Sequence, residues 1–301
     1  MAGAMPRSAT LGSAGSMLLL ATAFLVPGSV AAPYVIPYKT LQSLTVELHS
    51  LRDTVTLYAG NPQQLLELTT HPEDVFPRVE LSPGQRATLS IRDQVLLDLP
   101  ATPDSSFADE EPLPAATTGE MPEAHRWQLL LSPPAPTKYL LRCERGAGSF
   151  DFSDLPTQEV LLIGVDAALK MEFHRRNLVP LERCQLVADG GSLEVRELLN
   201  GLPKVVSVQC PLAEVDFDVT GKPFDGLLEV FFEGVASRLH LRLSPKIGVQ
   251  VTVPAAVRKN FAGDRLVERD GVLVTKDYEE NRCKLRLFLA DAPRSLEVEW
   301  E

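Results

Sequence analysis

The side chains able to do chemistry in this 301-residue chain are scattered rather than gathered. Its five histidines are His49, His71, His125, His174 and His240. A zinc site on one element needs two histidines a strand pleat or a helical turn apart, so that both nitrogens reach one ion. No two of these stand at i, i+2 or i, i+4, and His-Glu-x-x-His is missing. A polysaccharide lyase or hydrolase needs carboxylates at a defined separation, or a base beside a cation. Asp151, Asp154, Glu194, Asp216 and Asp218 are the candidates, but they alternate with apolar residues as the outward positions of strands do. Two Trp and five Tyr also offer few platforms for sugar rings. There is no Gly-x-Ser-x-Gly elbow and no phosphate-binding loop. Gly146-Ala-Gly148-Ser149 is Gly-rich but leads into a strand, so it reads as a corner. These residues point to no catalytic, cofactor or metal site, with a carbohydrate-active β-helix enzyme as the alternative.

The elements that would carry them are strands. Alternation of apolar and polar residues runs through Leu44 to Leu48, Asp53 to Leu57, Val79 to Leu81, Arg86 to Ile91 and Trp127 to Leu131, with Pro, Gly and Asn between. Helical spacing is arguable only over Asn61 to Leu68. Residues 38–134 therefore read as an antiparallel β unit.

From about Tyr139 a short strand recurs, with the form apolar-charged-apolar. The intervals between Phe150, Leu169, Leu193, Val215 and Leu239 are 19, 24, 22 and 24 residues. A period in the twenties marks a repeat protein whose rungs stack. Small residues mark each corner (Gly146 and Gly148, Ala167 and Ala168, Gly190 and Gly191, Ala213, Ala236), as a tight turn requires. Stacking would place Asp151, Lys170, Glu194, Asp216 and His240 side by side in an outward polar ladder. The expected fold is all-β, an antiparallel N-terminal unit followed by a short β-solenoid of single-strand repeats over 135–301.

The segments Trp127 to Ser132, Leu140 to Pro156, Met171 to Asn177 and Ser192 to Gly201 resemble the toast-rack domains of bacterial envelope proteins. Leu239 to Val251 resembles their closing rungs, and Leu44 to Val79 their first strands. That group is similar in part to the extracytoplasmic domain of proteins that respond to cell-wall-active antibiotics. The resemblance implies an extracytoplasmic interaction or sensing module without catalysis. The chain departs from it at the corners Val165 to Ala168 and Pro211 to Ala213, and in an acidic insertion.

Compartment and charge agree with that expectation. Residues 1–31 have the form of a signal peptide, with Arg7, an apolar run from Met17 to Val26, and small residues at Ser29, Ala31 and Ala32. The run is half the length of a membrane span, so export without stable membrane insertion is expected. The net charge of −11 disfavours nucleic acid and anionic lipid surfaces. Residues 101–124 hold six acids (Asp104, Asp109, Glu110, Glu111, Glu120, Glu123) and no Lys or Arg, and read as a disordered loop. Of the four cysteines, Cys143, Cys184 and Cys210 precede their repeat strands by 6, 8 and 4 residues, all on one face. Cys184 and Cys210 are offset by four positions, roughly 13 Å against about 7 Å for a bridged pair, so buried thiols fit better than a ladder of disulfides, with a single bond involving Cys283 left open as the alternative. The partner expected is an envelope protein or a glycan, with a purely structural adhesin-like spacer as a further alternative.

Overall fold

The computed structural model describes residues 34–37, 41–71, 77–82, 86–93, 125–261 and 265–301. The signal-like segment and the acidic stretch 101–124 lie outside the described residues. Residues 33–301 form one contact unit. The strands are β1 (Tyr34–Pro37), β2 (Ser43–Leu51), β3 (Thr54–Ala59), β4 (Gln64–His71), β5 (Arg78–Leu81), β6 (Arg86–Arg92) and β7 (Arg126–Leu131). Then come β8 (Thr137–Glu144), β9 (Ala147–Asp151), β10 (Thr157–Val165), β11 (Ala168–Glu172), β12 (Arg183–Asp189), β13 (Ser192–Arg196), β14 (Val205–Gln209) and β15 (Glu214–Val219). The chain closes with β16 (Gly226–Glu233), β17 (Arg238–Leu243), β18 (Gly248–Thr252), β19 (Leu266–Arg269), β20 (Val272–Thr275), β21 (Cys283–Leu289) and β22 (Leu296–Trp300).

These strands build two sheets around one core. The ten-stranded sheet runs β1-β4-β7-β3-β9-β11-β13-β15-β17-β22, and the twelve-stranded sheet runs β19-β20-β18-β21-β16-β14-β12-β10-β8-β2-β6-β5. Each central rung contributes one strand to each sheet: β8 then β9, β10 then β11, β12 then β13, β14 then β15, β16 then β17. The solenoid is therefore built of two-strand rungs, where the sequence pattern suggested one strand per repeat. Alternation buries one face of the central strands. Leu162, Leu186, Val208 and Val230 from one sheet and Val195, Phe217, Met171 and Phe150 from the other are fully buried. Each such side chain stabilises the fold by about 1.5–3 kcal/mol.

The stretch 38–134 is not an antiparallel unit. β2 runs parallel to both β6 and β8, and β3 parallel to both β7 and β9. Among the described residues of this stretch, antiparallel pairs occur only toward the outer edge, where β4 joins β1 and β7, and β5 joins β6. The rung β2–β3 lies between β6 and β7 on one side and β8 and β9 on the other, so the chain leaves sequential order here. Alternation alone cannot distinguish the two pairings, because both place i and i+2 on one face. The arguable helix at Asn61 to Leu68 is a turn leading into β4: Asn61 O accepts from the Gln64 N–H at 3.0 Å, and Leu65, Leu66 and Leu68 are buried.

The corners fix the register. Arg52, Arg145, Asp166, Gly190 and Leu212 all take left-handed backbone conformations between the strands of their rungs. The small residue that follows most of them packs onto the same corner of the next rung. The Gly146 carbonyl accepts from Ala168, that of Ala167 from Ser192, and that of Ala213 from Ser237, at 2.9–3.0 Å. A Cβ on Gly191 would stand 2.1 Å from the Ala167 oxygen.

Candidate functional site

The outer face of the ten-stranded sheet carries two rows of charge. The first is Ser149, Lys170, Glu194, Asp216, His240 and Glu297, in register across β9, β11, β13, β15, β17 and β22. The second, one pleat on, contains Asp151, Glu172 and Arg196 on β9, β11 and β13, and Asp218, Arg242 and Glu299 on β15, β17 and β22. Four members of the expected ladder, Lys170, Glu194, Asp216 and His240, are brought together as read. Asp151 is not: it lies beside Glu172, and Ser149 takes the place next to Lys170. The reason is Gly148, which occupies the inward position matching Leu169, and whose missing side chain is replaced by the Phe150 ring. With glycine at an apolar position, the apolar-charged-apolar pattern shifts by two residues.

The rows are bound together by ion pairs. Lys170 Nζ stands 2.6 Å from Glu172 Oε2, and this interaction holds the Lys170 pKa above its usual value. Arg242 Nη2 donates to Asp216 Oδ2 at 2.8 Å, and Arg196 Nη2 stands 3.5 Å from the same oxygen. His240 lies between Asp216, 3.6 Å from Nδ1, and Glu299, 3.3 Å from Nε2. Burial raises the Asp216 pKa, opposed by Arg196 and His240. A groove of about 640 Å³ opens along this face, with Glu172, His174, Arg196, Asp218, Arg242 and Glu301 among its walls.

The acids singled out for catalysis each have a partner. Asp154 pairs with Arg175 at 2.8 Å, and Asp151 accepts from the Ser153 N–H at 2.9 Å. Glu194 pairs with Arg196. Buried Asp218 accepts from the Thr220 N–H at 2.7 Å and the Glu197 N–H at 3.5 Å. Among the described residues, Asp151, Glu172 and His174, and separately His240, Glu297 and Glu299, bring donor atoms within 4.8 Å of one another. In the first set the Lys170 ammonium already sits on the Glu172 carboxylate.

The second row falls outside the apolar-charged-apolar pattern, which contains only the first charged residue of each repeat. Its signal was present as a further charged residue two positions on: Glu172, Arg196, Asp218, Arg242 and Glu299. The histidines divide three ways. His174 and His240 join this face. His49 pairs with Glu144 at 3.1 Å on the other sheet, and together with Arg142 holds the Glu144 carboxyl down at about 2. His125 stands against buried Asp53 at 3.4 Å, while His71 borders a smaller groove with Arg126 and Gln128. All four cysteines are buried free thiols, with Cys184 opposite Val160 and Val206 in the core.

No helix among the described residues is long and apolar enough to cross a membrane. No protein-family model matches the chain, and no curated protein matches it either. Among solved structures, the chain is similar to the crystal structure of a "putative cell adhesion protein" from Clostridium sporogenes, at 9% identity and a TM-score of 0.37. That match covers 89% of this chain and 98% of the other.

Proposed function

We propose that this chain is a non-catalytic recognition module of the cell envelope, working outside the cytoplasm, and that it takes its partner on the charged face of the ten-stranded sheet. The observation that carries this reading is the two-row lattice of Lys170, Glu172, Glu194, Arg196, Asp216 and Arg242, which repeats at the strand spacing along an open groove. Rows of both signs at about 4.8 Å intervals suit an extended polar partner, protein or glycan, that meets the strands rung by rung. Each acid that would be needed as a general acid or base is instead paired with a cation or a backbone N–H, which fits presentation of charge rather than proton transfer. The signal-like amino terminus supports export.

The test is cross-linking capture from a native envelope preparation with the purified chain as bait, run beside the Lys170→Glu, Arg196→Glu double variant and with a glycan-binding panel. The expected result is one specific partner, protein or glycan, that the variant loses while its circular dichroism is unchanged. Equal recovery by both proteins, or none by either, overturns the reading.

A further inference from the structure

The outer face of the twelve-stranded sheet is unlike the charged face opposite. β10 is apolar on both sides: Val160 and Leu162 point into the core, and Leu161, Ile163 and Val165 point outward. In register beside them lie Leu140 on β8, 39% exposed, and Val187 on β12. A parallel strand that is apolar throughout is the pattern of one covered on both faces. Here the outward side chains remain half-exposed.

The charges around this patch indicate what covers it. Number the outward rows along the strands. The first row holds Lys138 on β8, Glu159 on β10 and Arg183 on β12. The second holds Leu140, Leu161 and Gln185, the third Arg142, Ile163 and Val187, and the fourth Glu144, Val165 and Asp189. Two copies laid face to face about a two-fold axis along the stacking direction exchange the first row with the fourth and the second with the third. Lys138 then meets Glu144 of the other copy, Arg183 meets Asp189, and Leu161 meets Ile163. The adjoining strand β2 obeys the same rule, since Glu47 and His49 lie in the second and third rows. An axis along β10 instead sets Lys138 against Arg183 and Glu144 against Asp189, so like charges oppose. The exchange also sets Arg142 against Leu140 and Glu159 against Val165, but only in this orientation are the two flanking pairs, Lys138 with Glu144 and Arg183 with Asp189, of opposite sign, which favours it for an isologous dimer.

We propose that this chain forms a homodimer through the outer face of the twelve-stranded sheet, with the strands of the two copies antiparallel and the apolar patch at the centre. Two sheets packed in this way sit about 10 Å apart. The charged faces are left outward on opposite sides, so the dimer presents two copies of whichever surface binds. The dimer does not depend on the reading of that surface.

Arg183 and Asp189 make the decisive test, because both are exposed and neither holds an ion pair among the described residues. The purified full chain is run in sedimentation equilibrium across a concentration series, with thermal melts to confirm that every variant folds. The wild type is expected at twice the 32.9 kDa chain mass. Leu161→Glu is expected at single mass. Arg183→Asp should raise the dissociation constant at least about tenfold, and adding Asp189→Arg should restore it. A wild type that stays at single mass overturns the dimer and leaves the face to another partner. Dimerisation that survives Leu161→Glu overturns the assignment to this face. Dimerisation unchanged or strengthened by Arg183→Asp overturns the orientation.

Discussion

Arg242 Nη2 stands 2.8 Å from Asp216 Oδ2, and the guanidinium is only 15% exposed while the carboxylate is 31% exposed. The pair joins neighbouring strands, β15 and β17, within the charged lattice. Removing one member strands the other in a partly dry place. Asp216→Ala leaves Arg242 with Glu299 and Glu301, each at 3.9 Å, and is expected to cost about 1–3 kcal/mol in urea unfolding. Glu80→Ala, which breaks the pair with Arg78 between side chains more than half exposed, should cost under about 1 kcal/mol. Equal losses in the two variants would show that the lattice contributes no more than an ordinary surface pair.

The corner stack makes a sharper prediction. Gly191 has φ +64, and an added Cβ would lie 2.1 Å from the Ala167 oxygen and 2.7 Å from its nitrogen. Gly271 has φ +79 but nothing within 4 Å of the same position. Gly271→Ala should cost only the backbone strain, about 1–2 kcal/mol. Gly191→Ala must also push two rungs apart and is expected to cost more than about 3 kcal/mol, measured by chemical denaturation. Similar costs at the two sites would mean that the corner does not fix rung spacing.

The contrast between Gly148 and Gly191 also shows what was legible in the sequence. Gly191 marks a corner, and corners at regular intervals were enough to infer stacked strands and an outward row containing Lys170, Glu194, Asp216 and His240. Gly148 sits inside a strand where the other rungs place a core side chain, so counting apolar positions put Asp151 one pleat out of place. Partner order was less accessible still. The insertion of β2 between β6 and β8, and of β3 between β7 and β9, depends on which strands bury each other's edges, and a two-residue period contains no information about that. The same limit hid the contact of Asp53 with His125, 72 residues apart in sequence.

Cys143, Cys184, Cys210 and Cys283 are 0–3% exposed, and burial pushes the Cys143 thiol up to about 12 and that of Cys210 to about 11. Thiol reagents react through the thiolate, so both access and ionisation oppose them. Ellman's reagent at pH 8 should find fewer than one reactive thiol in the native protein and four after denaturation, with the melting temperature unchanged by reductant. Fewer than four thiols in the denatured, unreduced protein would reveal a disulfide and a different core arrangement.

Asp53 gives the fold a pH dependence of unusual sign. Asp53 is 2% exposed, and its carboxyl accepts the His125 N–H at 3.2 Å and feels the charge of buried Asp93. Burial, and then the Asp93 charge, push its pKa from 3.8 up to about 6. The folded state therefore holds this proton more tightly than the unfolded chain does. The stabilisation is fully present below about pH 4 and is lost as pH rises through about 6. Glu144 acts in the other direction and lower down: its pKa falls from 4.5 to about 2, so its contribution is lost only as pH drops toward 2. Between pH 5 and 7 the wild type should lose on the order of 1–3 kcal/mol from Asp53. Asp53→Asn, whose amide can donate to Asp93 at every pH, should flatten that slope in urea titrations at pH 5, 6 and 7. A variant that keeps the wild-type slope would assign the titration to another group.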